Sequence, residues 1–386
     1  MTKPVATLSD LFFSFLRLGA TAFGGPAMVA YIRKLAVDHK HWLDDETFRS
    51  GVSLCQTIPG ATAMQMSAFV GLKARGVAGA AASFIGFGLS AFFIMVALGV
   101  LYSRVSSLPS VVSAFSGLQV LVVAIVANAT LSFGRTTLKK WPGFVIAALA
   151  ASAFLLNLHP LVVIGSSAVV GMILLSNHNV AHGATDQPRP ISTLKPVMFM
   201  SLGLVLLLTA LFFLDRKLFS LGALMLRIDL FAFGGGFAAV PLMFHEVVRV
   251  RSWLPANVFM DGIALGQVTP GPIVITATFV GYMVRGIAGA FVATLGIFAP
   301  SFLMVVGISP YFDRLQSSPR AAAALNGILC SFVGLLLAVT VRFTFNVNWG
   351  PAHIVLVILA LIALLRKIDV LWIVLAGTVY SIVLFR

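Results

Sequence analysis

Two arginines sit inside apolar stretches, each six residues ahead of a glycine-rich turn. Arg17 precedes Phe23-Gly24-Gly25-Pro26, and Arg227 precedes Phe233-Gly234-Gly235-Gly236. Arginine at the centre of a membrane helix costs about 2.5–3.5 kcal/mol on insertion scales, so it needs an interior partner or a pathway. Its planar fork of donors suits a tetrahedral oxyanion; snorkelling to the interface is the structural alternative. Downstream of each arginine stands a second pair of motifs, Gln56-x-x-Pro59-Gly60 and Gln267-x-x-Pro270-Gly271. A Pro-Gly break starts a half-helix inside the apolar phase, with free N–H groups and a positive dipole end that attract an anion. Glycine also lets an anion approach the backbone. The competing reading is that these are kinks and close helix crossings. Gln56 and Gln267 are placed either to donate to an oxyanion or to tie each break to a neighbouring helix. Asp229 is a candidate partner for Arg227 and a candidate proton carrier for coupling, and Gly19 stands at its place in the first half.

Other chemistry is excluded. The chain has no P-loop, no Gly-x-Ser-x-Gly, no paired carboxylates and no haem-like histidine pair, so no enzyme and no cofactor are expected. Transport must then draw on an ion gradient or on exchange. Cys55 and Cys330 suggest neither zinc nor a disulfide framework. His178 and His182 fall in a polar stretch and are not expected to hold a metal. Arg75, Arg285, Trp42 and Trp253 read as interfacial anchors.

The elements that carry these residues are written twice. Arg17, Phe23-Gly24-Gly25 and Phe69-Val70-Gly71 recur 210 residues later. Trp42-Leu43, Phe48, Gly51 and Gln56-x-x-Pro59-Gly60 recur at 211. Arg, Trp, Gln and Pro in one register are not an accident of apolar composition, so the duplication is real. Each half reads as six apolar segments, near 8–32, 47–72, 77–102, 110–133, 143–158 and 160–176, then 218–244, 257–284, 287–311, 321–345, 351–365 and 368–385. Residues 1–176 form the first repeat and 217–386 the second. Residues 177–216 hold a polar linker and one unmatched span, Val197–Leu214. Six crossings plus one is odd, so the second half is inverted; re-entrant hairpins at the head of each half leave four plus one, also odd.

Composition fits this plan. Of 386 residues, 59% are hydrophobic and 10% charged, and mean hydropathy is +1.03. Crossing a bilayer takes about 20 apolar residues as a helix, and such runs recur. The expected fold is therefore an all-α polytopic membrane protein: two inverted-topology repeats with broken or re-entrant helices, plus one linking helix. The net charge of +14 belongs to loops at an anionic leaflet rather than to a nucleic-acid surface. Lys73, Arg75, Lys139 and Lys140 fall on one side and favour the N-terminus inside and the C-terminus outside. No cleaved signal peptide is read near Lys3. The partners expected are a small oxyanion and the lipid bilayer, with a homodimer as the protein partner allowed for.

These duplicated motifs resemble the chromate ion transporter family over nearly the whole chain. The resemblance implies secondary active export of chromate across the bacterial inner membrane by alternating access, with sulfate as the close competitor. It makes Gly24, Gly25, Pro26, Gln56, Pro59, Gly60, Gly234, Gly235, Gln267, Pro270 and Gly271 family motif positions. Two positions depart from the pattern: Ser90 stands where family halves carry a proline, and Gly236 stands opposite Pro26. An anion channel, or a transporter of sulfate or another tetrahedral oxyanion, is the second reading. A membrane chromate reductase is the third, and it would need a cofactor the sequence has no place for.

Overall fold

The computed structural model describes residues 6–23, 27–106, 108–175, 194–312 and 318–385. The linker predicted around residues 177–195 lies mostly outside them. The described residues form fifteen α-helices and no strand.

In the first half, α1 (Leu8–Thr21) is started by Thr7, whose Oγ1 accepts from the Asp10 N–H. After the glycine turn comes α2 (Ala27–Arg33), continued by a π-helical stretch, Lys34–His39. The chain then returns to where it began: Lys40 pairs with Asp10 at 2.7 Å and Trp42 stacks on Phe15. The expected segment 8–32 is thus a re-entrant hairpin. Next, α3 (Asp45–Thr57) runs inward and α4 (Thr62–Val105) runs back out. A sharp bend at Arg75-Gly76 divides α4 into two arms, with Gly76 at φ +64°. There Arg75 donates to the Ala6 carbonyl at 2.9 Å, so both hairpins open on the face that carries Ala6. The second arm crosses the molecule. It is followed by α5 (Pro109–Thr137) and by a short pair, α6 (Trp141–Leu155) and α7 (Pro160–Leu174).

After the linking helix α8 (Leu194–Leu214), the second half repeats this order. It comprises α9 (Arg216–Phe231), α10 (Gly236–Met243) with its π-helical extension, α11 (Ala256–Val268) and α12 (Thr276–Ile308). Then come α13 (Pro319–Asn346), α14 (Pro351–Leu365) and α15 (Val370–Leu384). Arg251 donates to Ser220 at 2.8 Å, closing the first hairpin here too. At the bend in α12, Arg285 pairs with Asp215 at 2.7 Å. These hairpins therefore open on the opposite, Asp215 face.

Among the described residues five helices are long and apolar enough to cross a membrane: α4, α5, α8, α12 and α13. The reading of six crossing segments per half is corrected accordingly. At about 1.5 Å per residue, the fifteen residues of α6, α7, α14 and α15 fall short of a bilayer. The count stays odd, two plus one plus two. Phe84 meets Phe298 and Phe302 while Phe92 meets Phe291, so α4 and α12 run antiparallel, as inverted repeats require.

Candidate transport site

The Pro-Gly breaks are held across the two halves. The Gly60 N–H donates to the Ala232 carbonyl at 3.0 Å, and the Gly271 N–H donates to the Ala22 carbonyl at 3.0 Å. Each break thus grips the backbone leading into the other half's glycine turn. Gly60 and Gly271 adopt φ +121° and +118°, a region open chiefly to glycine. These two N–H groups were expected to be free for an anion, and they are not. Away from water a backbone donor must be paired, and here the opposite repeat supplies the acceptor. The Gln65 side chain caps the Pro59 carbonyl at 2.5 Å.

One residue further on the halves differ, and the difference is compensated. The Ala61 N–H donates to Ser301 Oγ at 3.1 Å. Asp229 Oδ2 in turn accepts from the Ser301 N–H at 2.8 Å, beside Pro300 in the interior of α12. In the second half the position of Ala61 is Pro272, which has no N–H, and the residue facing that break is Ala91, which has no hydroxyl. Asp229 therefore positions α12 and does not pair with Arg227.

Arg227 instead forms an ion pair with the buried Glu246, which His159 Nε2 also meets at 3.3 Å and Arg251 Nε at 3.5 Å. Arg17 is exposed, and no side chain among the described residues pairs with it. Neither arginine lines the two cavities described next. Glu246 and His159 were not singled out in the sequence. The Lys40 N–H donates to the Leu35 carbonyl as the Arg251 N–H donates to that of Glu246, so the residue matching Glu246 is the apolar Leu35 and the duplication gives no sign of it.

The larger cavity has a volume of about 1220 Å³ and reaches the Ala6 face. It is lined by Gln56, Thr62, Gly234 and Gly235, with Arg49 and Lys139 toward its mouth. Two helices from opposite halves begin on it. α4 starts after Ala61 and α10 after Gly235, and neither has a side-chain cap. A Cβ on Gly235 would lie 3.1 Å from Thr62 Oγ1, so the two helix starts are in contact. Uncapped helix starts leave backbone N–H donors for an anion. Asp45, at the outer end of α3, binds Arg33 and Arg49 at 2.7 Å each. The hydrogen bond from Arg33 holds the Asp45 carboxyl below its ordinary range. A second cavity of about 240 Å³ lies beside the first and is lined by Gly234, Phe133, Asn128 and Gln267. The Gln267 Nε2 is buried and has no partner among the described residues. Gly24 and Gly25 lie outside the described residues.

The Chromate transporter family profile matches this chain twice, at residues 9–172 and 219–382. An uncharacterized transporter of Methanocaldococcus jannaschii is 42% identical over 372 residues, 96% of this chain and 92% of that one. A chromate transport protein of Cupriavidus metallidurans is 30% identical over 374 residues, 95% and 91% of the two chains. A probable chromate transport protein of Synechococcus elongatus is 32% identical over 341 residues, 88% and 85%. No solved structure matches. The family's unit occurs once in each repeat, and its relatives align over most of the length, so the chain belongs to the chromate transporter family.

Proposed function

We propose that this protein exports chromate from the cytoplasm as a secondary active transporter, by alternating access in the bacterial inner membrane, with no covalent step. The observation that carries this reading is the meeting of the α4 and α10 helix starts on one water-accessible cavity. Chromate and sulfate are both tetrahedral dianions, and a site made of backbone N–H groups and one amide side chain recognises what they share. Gln56, Gly234 and Gly235 touch the anion in this reading. Pro59, Gly60, Pro270 and Gly271 hold the helix starts in register, and Gln267 serves from the smaller cavity. Arg227 is neutralised by Glu246 and Arg17 stands apart, so neither is given a direct role. Asp229 is assigned to positioning rather than coupling. The basic mouth of the cavity supports a cytoplasmic Ala6 face in this reading.

The test is uptake of labelled chromate and sulfate into inverted vesicles under imposed pH and voltage gradients. Saturable chromate uptake, inhibited by sulfate and accelerated by internal substrate, is the expected outcome. Flux that neither saturates nor exchanges would make the protein a channel instead.

A further inference from the structure

Several residues of the first half that line the large cavity differ in exposure from their counterparts 210 or 211 positions away. The side chain of Arg49 is 80% exposed, whereas Met260 at its counterpart position is 0% exposed. Val52 and Ser53 are partly exposed; Ile263 and Ala264 are buried. Phe133 lines both cavities, while Phe343 is buried in a cluster with Phe244 and Phe259 at ring separations of 5.2 and 6.5 Å. The cavity opens toward the Ala6 face, whereas these counterparts close over the Asp215 face.

One polar cluster binds the sealed face. Asp261 of α11 is 4% exposed. Its Oδ2 accepts from the Tyr102 hydroxyl of α4 at 2.8 Å, and its Oδ1 accepts from Gln119 Nε2 of α5 at 2.8 Å. A hairpin of the second repeat is thereby tied to both crossing helices of the first. The Tyr102 ring also stands edge-on to Phe115 and Phe279. The counterparts of these three residues are Ser50, Phe312 and Leu329, which cannot form such a cluster. Ser50 is exposed, and Leu329 lines the cavity.

We propose that Asp261, held by Tyr102 and Gln119, is the latch of the transport path on the Asp215 face. Opening that face means withdrawing α11 from α4 and α5, which strips both acceptors of their donors. A buried carboxyl without donors is costly until water reaches it. Because the counterparts Ser50, Phe312 and Leu329 form no such cluster among the described residues, the equilibrium between the two openings is biased toward the state seen here. The inference rests on reading the cavity as the transport path.

Thiol accessibility tests it without any substrate. In a background carrying Cys55→Ser and Cys330→Ser, Ser53→Cys and Ala264→Cys report on the two faces through a membrane-impermeant maleimide. Ser53→Cys is expected to react from the Ala6 face, and Ala264→Cys to be protected from the Asp215 face. Adding Asp261→Ala is expected to speed modification at position 264 about tenfold, a shift of about 1.4 kcal/mol in the opening equilibrium, and to slow it at 53. Tyr102→Phe and Gln119→Leu, which install the residue types of the open face, are expected to give smaller increases and guard against a misfolded Asp261→Ala. Equal reactivity of the two cysteines in the parent would overturn the proposal. So would an unchanged rate at 264 in all three variants while they elute as monodisperse protein. Failure of chromate to be transported, with this labelling pattern intact, would sink the oxyanion reading and leave the latch standing.

Discussion

The hydroxyl oxygens of Thr130 and Thr340 lie 3.4 Å apart, and the two residues are separated by 210 positions, the offset of the repeat itself. A residue that meets its own counterpart marks a pseudo-two-fold axis. α5 and α13 are antiparallel there, since Gly134 lies against Val333 beyond the same crossing. An axis relating antiparallel crossing helices lies in the membrane plane, the arrangement of inverted repeats.

The first prediction follows from the odd number of helices, five among the described residues, that are long and apolar enough to cross a membrane. Reporters fused at Met1 and at Arg386 are expected on opposite sides of the membrane. Finding both on one side would mean an even number of crossings and would contradict the inverted arrangement.

Substitution at the breaks should disable transport. Gly60→Val and Gly271→Val force a β-branched side chain into a positive φ, a cost of about 1–3 kcal/mol. They also press on Ser301 and Ala91 respectively. Transport of labelled chromate is expected to fall by about fivefold or more for each, by the usual conversion of 1.4 kcal/mol per decade. Gly79 and Gly289 cannot serve as neutral controls, because each packs against the backbone of Gly71 or Gly281. Gly165→Ala and Gly203→Ala, which face open space, are the proper controls and should retain transport.

The two intramembrane arginines should behave differently. Arg227→Ala removes a hydrogen-bonded partner of the buried Glu246, at a cost of about 1–3 kcal/mol. Arg17→Ala removes no described contact and should stay within about 0.5 kcal/mol of the parent. Thermal unfolding in detergent measures both. Equal destabilisation by the two substitutions would show that the Glu246 pair carries no special weight.

A double-mutant cycle examines the compensation at the breaks. Pro272→Ala introduces an N–H facing Ala91, and an unpaired buried donor costs about 1–3 kcal/mol. Ala91→Ser should restore part of that stability in the Pro272→Ala background and little or none alone. Strict additivity in unfolding measurements would mean the two positions do not communicate.

The sequence makes the motifs and their duplication plain, because Pro-Gly and Gly-Gly interruptions stand out against apolar runs. It does not reveal whether residues 8–32 span or turn back, since either course fits a stretch of that length. Only the contacts of Lys40 with Asp10 and of Trp42 with Phe15 settle the return. The partners of the breaks were equally hidden. Aligning the halves sets Gly60 against Gly271, whereas in space Gly60 meets Ala232. Asp229 stands two residues after Arg227, yet its partner is 72 residues away at Ser301. Glu246 and Asp261 have no acidic counterpart in the first half, so symmetry, the strongest guide available, points away from them.

The bond of Ala61 to Ser301, and the contact of Ala91 with the break at Gly271-Pro272, limit how such a chain can be rebuilt. Two copies of the first half would set an alanine amide against an alanine side chain at both contacts. Two copies of the second would set serine against proline at both. The halves have become lock and key to one another, and neither can stand in for its twin. Fusion into one polypeptide, with α8 turning the second half over, guarantees that every molecule contains one of each.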